Sequence, residues 1–356
     1  MNRGQRHFRG LKLYRTAVLA ALGLVVGTCC LCGADDLPDA ASATPSLLTQ
    51  APWHWGIWLD ARYLEEPAPG AEDFFNLSHV YLYSGYFFNP HWQLFGEVEY
   101  QRLPDAQGNP ESEFELERTY LEYRRSSELR FRLGRFNTRA GIVKPLHWDF
   151  TLDTVGDPIM EANSYVPSKS NGLEILGTLV GKKGEWHYSA AFSLSNTTID
   201  DRDPIKEATG GGIDLSYSRP NQFRIGGSFF VYDDPRSEDA LASAFLPYLE
   251  GYFFSNKVLI RSEYLVLQRQ TQPDVETIYG KIKWQFHPKY YLNYRFDKGD
   301  DLRYRNLGRH TQQTFTFSFR PENNWRFKLE YAKHRFDRAA GENYEEFAIW
   351  TGWAYP

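Results

Sequence analysis

The chain has 356 residues, 16% of them aromatic, with 23 Tyr, 25 Phe and 10 Trp, yet it is hydrophilic on average. Its formal net charge is −5, an acidic balance that argues against a nucleic-acid partner. Its three cysteines, Cys29, Cys30 and Cys32, crowd into the first 34 residues, which excludes thiol catalysis, cysteine metal sites and a disulfide scaffold in the remainder.

Residues 1–34 begin with Arg3, Arg6, Arg9, Lys12 and Arg15 and continue into the apolar stretch TAVLAALGLVVGTCCLCGA. A basic start, an apolar middle and small residues before Asp35 predict an export signal cleaved after Ala34; an N-terminal membrane anchor is the competing reading. The signal holds five of the 40 basic residues and none of the 45 acids, leaving 35 against 45 beyond it, a net charge of −10. Residues 35–52, rich in Ala, Ser, Pro and Asp, are expected to form a loose periplasmic leader. No long apolar run follows. An exported chain without a helical span is either free in an extracytoplasmic space or a closed β-barrel, because only helices and closed barrels satisfy their backbone polar groups in lipid.

From Trp53 onward the pattern predicts about sixteen strands. In 92–101, Trp92, Leu94, Gly96, Val98 and Tyr100 alternate with Gln93, Phe95, Glu97, Glu99 and Gln101. The same period of two runs through 185–195, 222–232, 314–320 and 325–331. In 222–232 it places Phe223, Ile225, Gly227, Phe229 and Val231 opposite Arg224, Gly226, Ser228, Phe230 and Tyr232. Strands of about ten to thirteen residues, tilted near 45°, cross a hydrocarbon layer, whereas soluble strands average about five or six. The connections alternate along the chain. Tight turns (NPH at 89–91, RSSE near 125–128, GKKGE at 181–185, RPNQ at 219–222, SN at 255–256, HPK at 287–289, RPENN at 320–324) separate longer polar loops. The longest, 137–171, follows the fifth strand and is the third long loop. This sorting predicts an all-β fold: a transmembrane antiparallel up-and-down β-barrel over 53–356, with short periplasmic turns and long external loops.

The stretch LERTYLEYRRSSELRFRLGRFNTRAGIVKP, 116–145, resembles Gram-negative outer-membrane porins of the phosphate-selective O/P type. The bend Thr138-Arg139-Ala140-Gly141 stands where members of that group carry a proline-containing one. The resemblance implies a sixteen-stranded porin, often a homotrimer, whose third loop folds into the lumen. Partners would then be outer-membrane lipid, small hydrophilic solutes and the barrel-assembly machinery. For the last of these, Phe347, Ile349, Thr351, Trp353 and Tyr355 form an alternating final strand, ending on Pro356 rather than on an aromatic residue.

If the apolar faces meet lipid, the polar faces line water. Pore-wall candidates are then Arg118, Arg130, Arg132, Arg224, Arg261, Arg295, Arg326 and Lys328, with Arg124 beside them and Glu97, Glu99, Glu122, Glu263, Asp297 and Glu330 interspersed. Constriction-loop candidates are Arg139, Lys144, Asp149, Asp153, Asp157 and Glu161. A basic wall, with Arg130 and Arg132 foremost, facing an acidic loop with Asp149 and Asp153 foremost, would set a transverse field; local pairing of the same charges is the alternative. Trp148, Tyr165 and Trp350 are candidates for a sugar slide. There is no Gly-x-Ser-x-Gly elbow and no histidine pair at metal spacing, and GGG at 210–212 has no phosphate-loop context, so neither catalysis nor a cofactor is expected. A barrel lipase or protease and an exported carbohydrate-binding β-protein are the rival readings.

Overall fold

The computed structural model describes residues 52–65, 73–104, 110–146, 152–163, 165–194, 209–233, 241–338 and 343–355. The expected export signal and nearly all of the expected leader lie outside them. Sixteen strands follow in chain order: β1 (Trp53–Glu65), β2 (Phe74–Asn89), β3 (Trp92–Pro104), β4 (Pro110–Arg124), β5 (Arg130–Asn137), β6 (Lys169–Gly181), β7 (Gly184–Ser193) and β8 (Gly210–Arg219), then β9 (Phe223–Asp233), β10 (Leu241–Phe253), β11 (Val258–Arg269), β12 (Val275–His287), β13 (Tyr290–Asp300), β14 (Arg309–Phe319), β15 (Trp325–Phe336) and β16 (Tyr344–Tyr355). Each pairs antiparallel with its neighbours in sequence, and β16 returns to β1, with Ile57 opposite Tyr355 and Glu65 opposite Phe347. Closure leaves no strand edge whose N–H and C=O groups would face lipid unpaired.

The strand 92–101 shows how the barrel is turned inside out relative to a soluble protein. Leu94 and Val98 are 46% and 43% exposed, while Glu97 and Glu99 are 1% and 3% exposed. The same holds on β14, where Phe315 points outward and Thr314 and Thr316 are buried. The connections also sort as expected. Those at 90–91, 125–129, 182–183, 220–222, 254–257, 288–289 and 320–324 are short, and the intervening ones, from 66–73 to 337–343, are mostly longer.

Several strand boundaries move by a few residues, two of them at strand starts beside long loops. β4 begins at Pro110 rather than at 114, and β6 begins at Lys169 rather than at 172. The second shift has a visible cause. Lys169 turns inward to Glu117 and to Asn137 Oδ1, the latter at 2.9 Å, and Ser170 Oγ meets Thr138 Oγ1 at 2.8 Å. The long third connection is therefore 138–168, with a short helix α1 (Ile159–Ala162).

That connection lies inside the barrel. Ala140, Val143, Leu152, Met160, Tyr165 and Val166 pack against inward side chains of β9–β12, among them Phe230, Tyr232, Leu246, Leu265 and Tyr279. Farther along, Val155 joins Trp58 and Tyr81 of β1 and β2 and Trp350 of β16. The barrel thus has a small apolar core inside its lumen. This is why Phe230 and Tyr232 sit on an otherwise polar face.

Candidate functional site: the barrel lumen

An irregular segment inside a barrel must satisfy its backbone polar groups with whatever the wall offers. Polar and charged side chains of β9–β15 do so here. Gly141 N–H donates to Ser228 Oγ (2.9 Å) and Val143 N–H to Glu263 Oε1 (2.9 Å). Val155 and Gly156 N–H donate to the two oxygens of Glu330, at 2.6 and 2.8 Å. In the other direction Lys328 Nζ donates to the Thr154 carbonyl (3.0 Å), and Arg295 reaches Thr154 Oγ1 (2.9 Å), the Asp157 carbonyl (3.1 Å) and the Gly156 carbonyl. Gly141 has φ +69, and a Cβ there would stand 2.1 Å from Glu263 Oε2, so the bend requires glycine.

Asp153 is the strongest tie. Its carboxylate accepts from Lys281 Nζ (2.6 Å), Lys283 Nζ (2.7 Å) and Arg320 Nη2 (3.2 Å). Burial alone would raise this carboxyl, but the two ammonium groups outweigh it and hold Asp153 well below the usual carboxylate range. Lys144 and Glu161 close the loop on itself at 2.9 Å. The end of β13 and the segment after it also hold the loop: Leu302 N–H donates to Asn163 Oδ1 (2.8 Å) and the Tyr165 hydroxyl to the Asp300 carbonyl.

The opposite arc differs. Arg132 bridges Glu122 (2.6 Å) and Glu174 (3.1 Å), Arg124 adds to Glu122 (2.8 Å), and Arg139 adds to Glu174 (3.0 Å). Arg118 pairs with Glu97, and Arg224 lies 3.9 Å from Asp214 and over the Tyr248 ring. In these pairs the cation is the exposed partner. The side chains of Arg118, Arg124, Arg132, Arg139 and Arg224 are 19%, 29%, 15%, 38% and 32% open, against 0% for Glu97 and Glu174, 2% for Glu122 and 7% for Asp214. Arg130 stands in the same row, and its Nε finds no acceptor among the described residues.

The sequence candidates therefore divide. Arg118, Arg130, Arg132 and Arg224 line the open arc. Arg295 and Lys328 are buried under the loop. Arg261 is buried against Glu250, and Arg326 is half-buried on the inner face of β15. Lys144 and Glu161 meet each other, and Asp157 takes part through its carbonyl. Asp149 and Trp148 lie outside the described residues. The expected opposition of Asp153 to Arg130 and Arg132 across water is corrected: Asp153 rests directly on β12 and on Arg320 just beyond β14, and the two arginines stand on β5 with Glu122 and Glu174. Tyr165 and Trp350 are fully buried, so neither offers a ring to a passing sugar; Trp350 Nε1 donates to Asp60 (2.8 Å) instead. Lys281 and Lys283 escaped the sequence reading, although the alternation of Lys281, Ile282, Lys283 and Trp284 carried the signal.

A closed antiparallel barrel of sixteen strands, apolar outside, polar inside, with an inward-folded third loop, has the architecture of outer-membrane barrels. No family model matches the chain. Over 189 aligned positions, covering 49% of the chain, it is 24% identical to an uncharacterized protein of Aquifex aeolicus (strain VF5), of which the match spans 43%, less than half its length. Among solved structures, a loop L8 deletion mutant of OmpT, an outer membrane protein of Vibrio cholerae, is 13% identical with a TM-score of 0.59, over 85% of this chain and 99% of that one. An anion-selective porin from Comamonas acidovorans is 11% identical with a TM-score of 0.56, over 85% and 98%. OmpF of Salmonella typhi, in complex with daunomycin, is 10% identical with a TM-score of 0.58, over 85% and 97%. At these identities the likeness is one of fold.

Proposed function

We propose that the protein is an outer-membrane porin, a passive water-filled channel for small hydrophilic solutes that prefers anions, and not an enzyme. The observation that carries this reading is the orientation of the ion pairs on the open arc: guanidinium groups face the water and their carboxylates lie behind them. A solute passing that wall meets positive charge although the chain as a whole is acidic. The field in a narrow pore is set by the groups that reach the water. Docking of the third loop against β9–β15 supports the same reading, because it leaves the arginine arc as the exposed wall. Kinship with the phosphate-selective O/P group is part of the proposal and rests on 116–145.

In this reading residues 1–34 direct export, the short turns face the periplasm, β16 is read by the barrel-assembly machinery, and lipid bathes the apolar exterior. A homotrimer is proposed by analogy with OmpT of Vibrio cholerae, which is also recorded in a trimer form. The test is conductance of the full-length mature protein in a planar bilayer under a KCl gradient. A reversal potential with the sign of chloride preference is expected. Absence of conductance would overturn the channel, and potassium preference would overturn the anion assignment.

A further inference from the structure

We propose that the inner wall of β2–β5 carries a binding site for a small aromatic carboxylate, an inference that rests on the channel reading above and names a solute class for it. Tyr83, Phe95 and Tyr120 come from three neighbouring strands and face inward, each half-buried. Their rings form a tiled row. Tyr83 and Phe95 are 6.4 Å apart with planes 20° apart, and Phe95 and Tyr120 are 5.1 Å apart with planes 21° apart. The Tyr83 end of the row lies over Gly56 of β1: a Cβ there would stand 2.2 Å from the Tyr83 hydroxyl oxygen. Any side chain at Gly56 would push that ring off the wall.

The row continues directly into cationic groups. The Arg118 guanidinium lies over the Phe95 ring, 5.0 Å from its centroid, and that of Arg132 over the Tyr120 ring, at 4.7 Å. On the same strand pair Tyr120 is opposite Gly134, Glu122 opposite Arg132 and Arg124 opposite Arg130, so the rings and the arginines occupy successive steps of one ladder. Arg124, Arg130, Arg132 and Arg139 share two carboxylates, Glu122 and Glu174. This cluster has an excess of two positive charges, and Arg130 Nε has no acceptor among the described residues. Aromatic faces accept a planar ring by offset stacking, and guanidinium forks accept a carboxylate in two parallel hydrogen bonds. Rings and forks side by side match a solute that carries both, such as benzoate.

The experiment uses the full-length mature protein in a planar bilayer and in detergent, with benzoate, cyclohexanecarboxylate and acetate as probes. Benzoate is expected to block chloride current, and to bind in calorimetry, at concentrations at least about fivefold below either other acid, the scale of one aromatic contact. Phe95→Leu and Tyr120→Leu should remove that advantage, and Tyr120→Phe should keep it. Arg130→Gln should weaken benzoate and acetate alike. Equal binding of benzoate and cyclohexanecarboxylate, or leucine variants with unaltered benzoate affinity, would overturn the site. Missing chloride current with benzoate binding intact would overturn the channel reading alone, and far-ultraviolet circular dichroism shows which variants fold.

Discussion

The two arcs of the lumen use the same residue types for opposite purposes. On β12–β15, Lys281, Arg295 and Lys328 are buried under the third loop, and their charge is spent on Asp153, on Thr154 Oγ1 and on loop carbonyls. On β4–β5 and at the start of the loop, Arg124, Arg132 and Arg139 keep part of their surface in water and hide their glutamates. A lysine or arginine facing inward is thus a structural clamp or a pore-lining charge according to what lies over it.

The largest test of this contrast reverses charge on each arc. Arg124→Glu with Arg139→Glu should invert the sign of the reversal potential, whereas Lys281→Glu, on the covered arc, should disturb loop docking more than selectivity. Next, Asp153→Asn leaves Lys281, Lys283 and Arg320 around a neutral amide. Removing one member of a buried charge cluster typically costs about 3–5 kcal/mol. A released loop should then appear as larger single-channel conductance and as protease cleavage within 138–168. Gly141→Ala forces a side chain into positive φ and against Glu263, a backbone penalty of about 1–2 kcal/mol, and should give the same conductance change in weaker form. The smallest effect concerns pH. Because the folded-state carboxyl of Asp153 is held below its ordinary value, its contribution is complete above the unfolded value of about 3.9 and fades only as pH falls through the lower folded value. The Asp153 side-chain carboxyl carbon shift should therefore stay constant from pH 7 to pH 4; titration within that range would show that the loop is not docked as described.

Much of this barrel is legible in the chain. The period-two pattern in 92–101 or 314–320 reports the face of each residue because a strand has no other choice, and the alternation of tight turns with long loops reports an up-and-down barrel. The third loop was legible by length alone. Its path was not. The partners of Asp153 lie 128 and 130 residues away, and nothing near Asp153 in sequence points to β12. The same gap explains Tyr165 and Trp350, whose ring chemistry suggested a binding face until packing buried them.

Local composition determined the strands, their greasy exterior and the polar lining, since each follows from a residue and its near neighbours meeting lipid or water. Which inward charges reach the water, and which are consumed in holding a loop, was decided only when strands far apart in sequence closed into a ring. Exposure is a property of what stands in front of a side chain, and that neighbour comes from elsewhere in the chain.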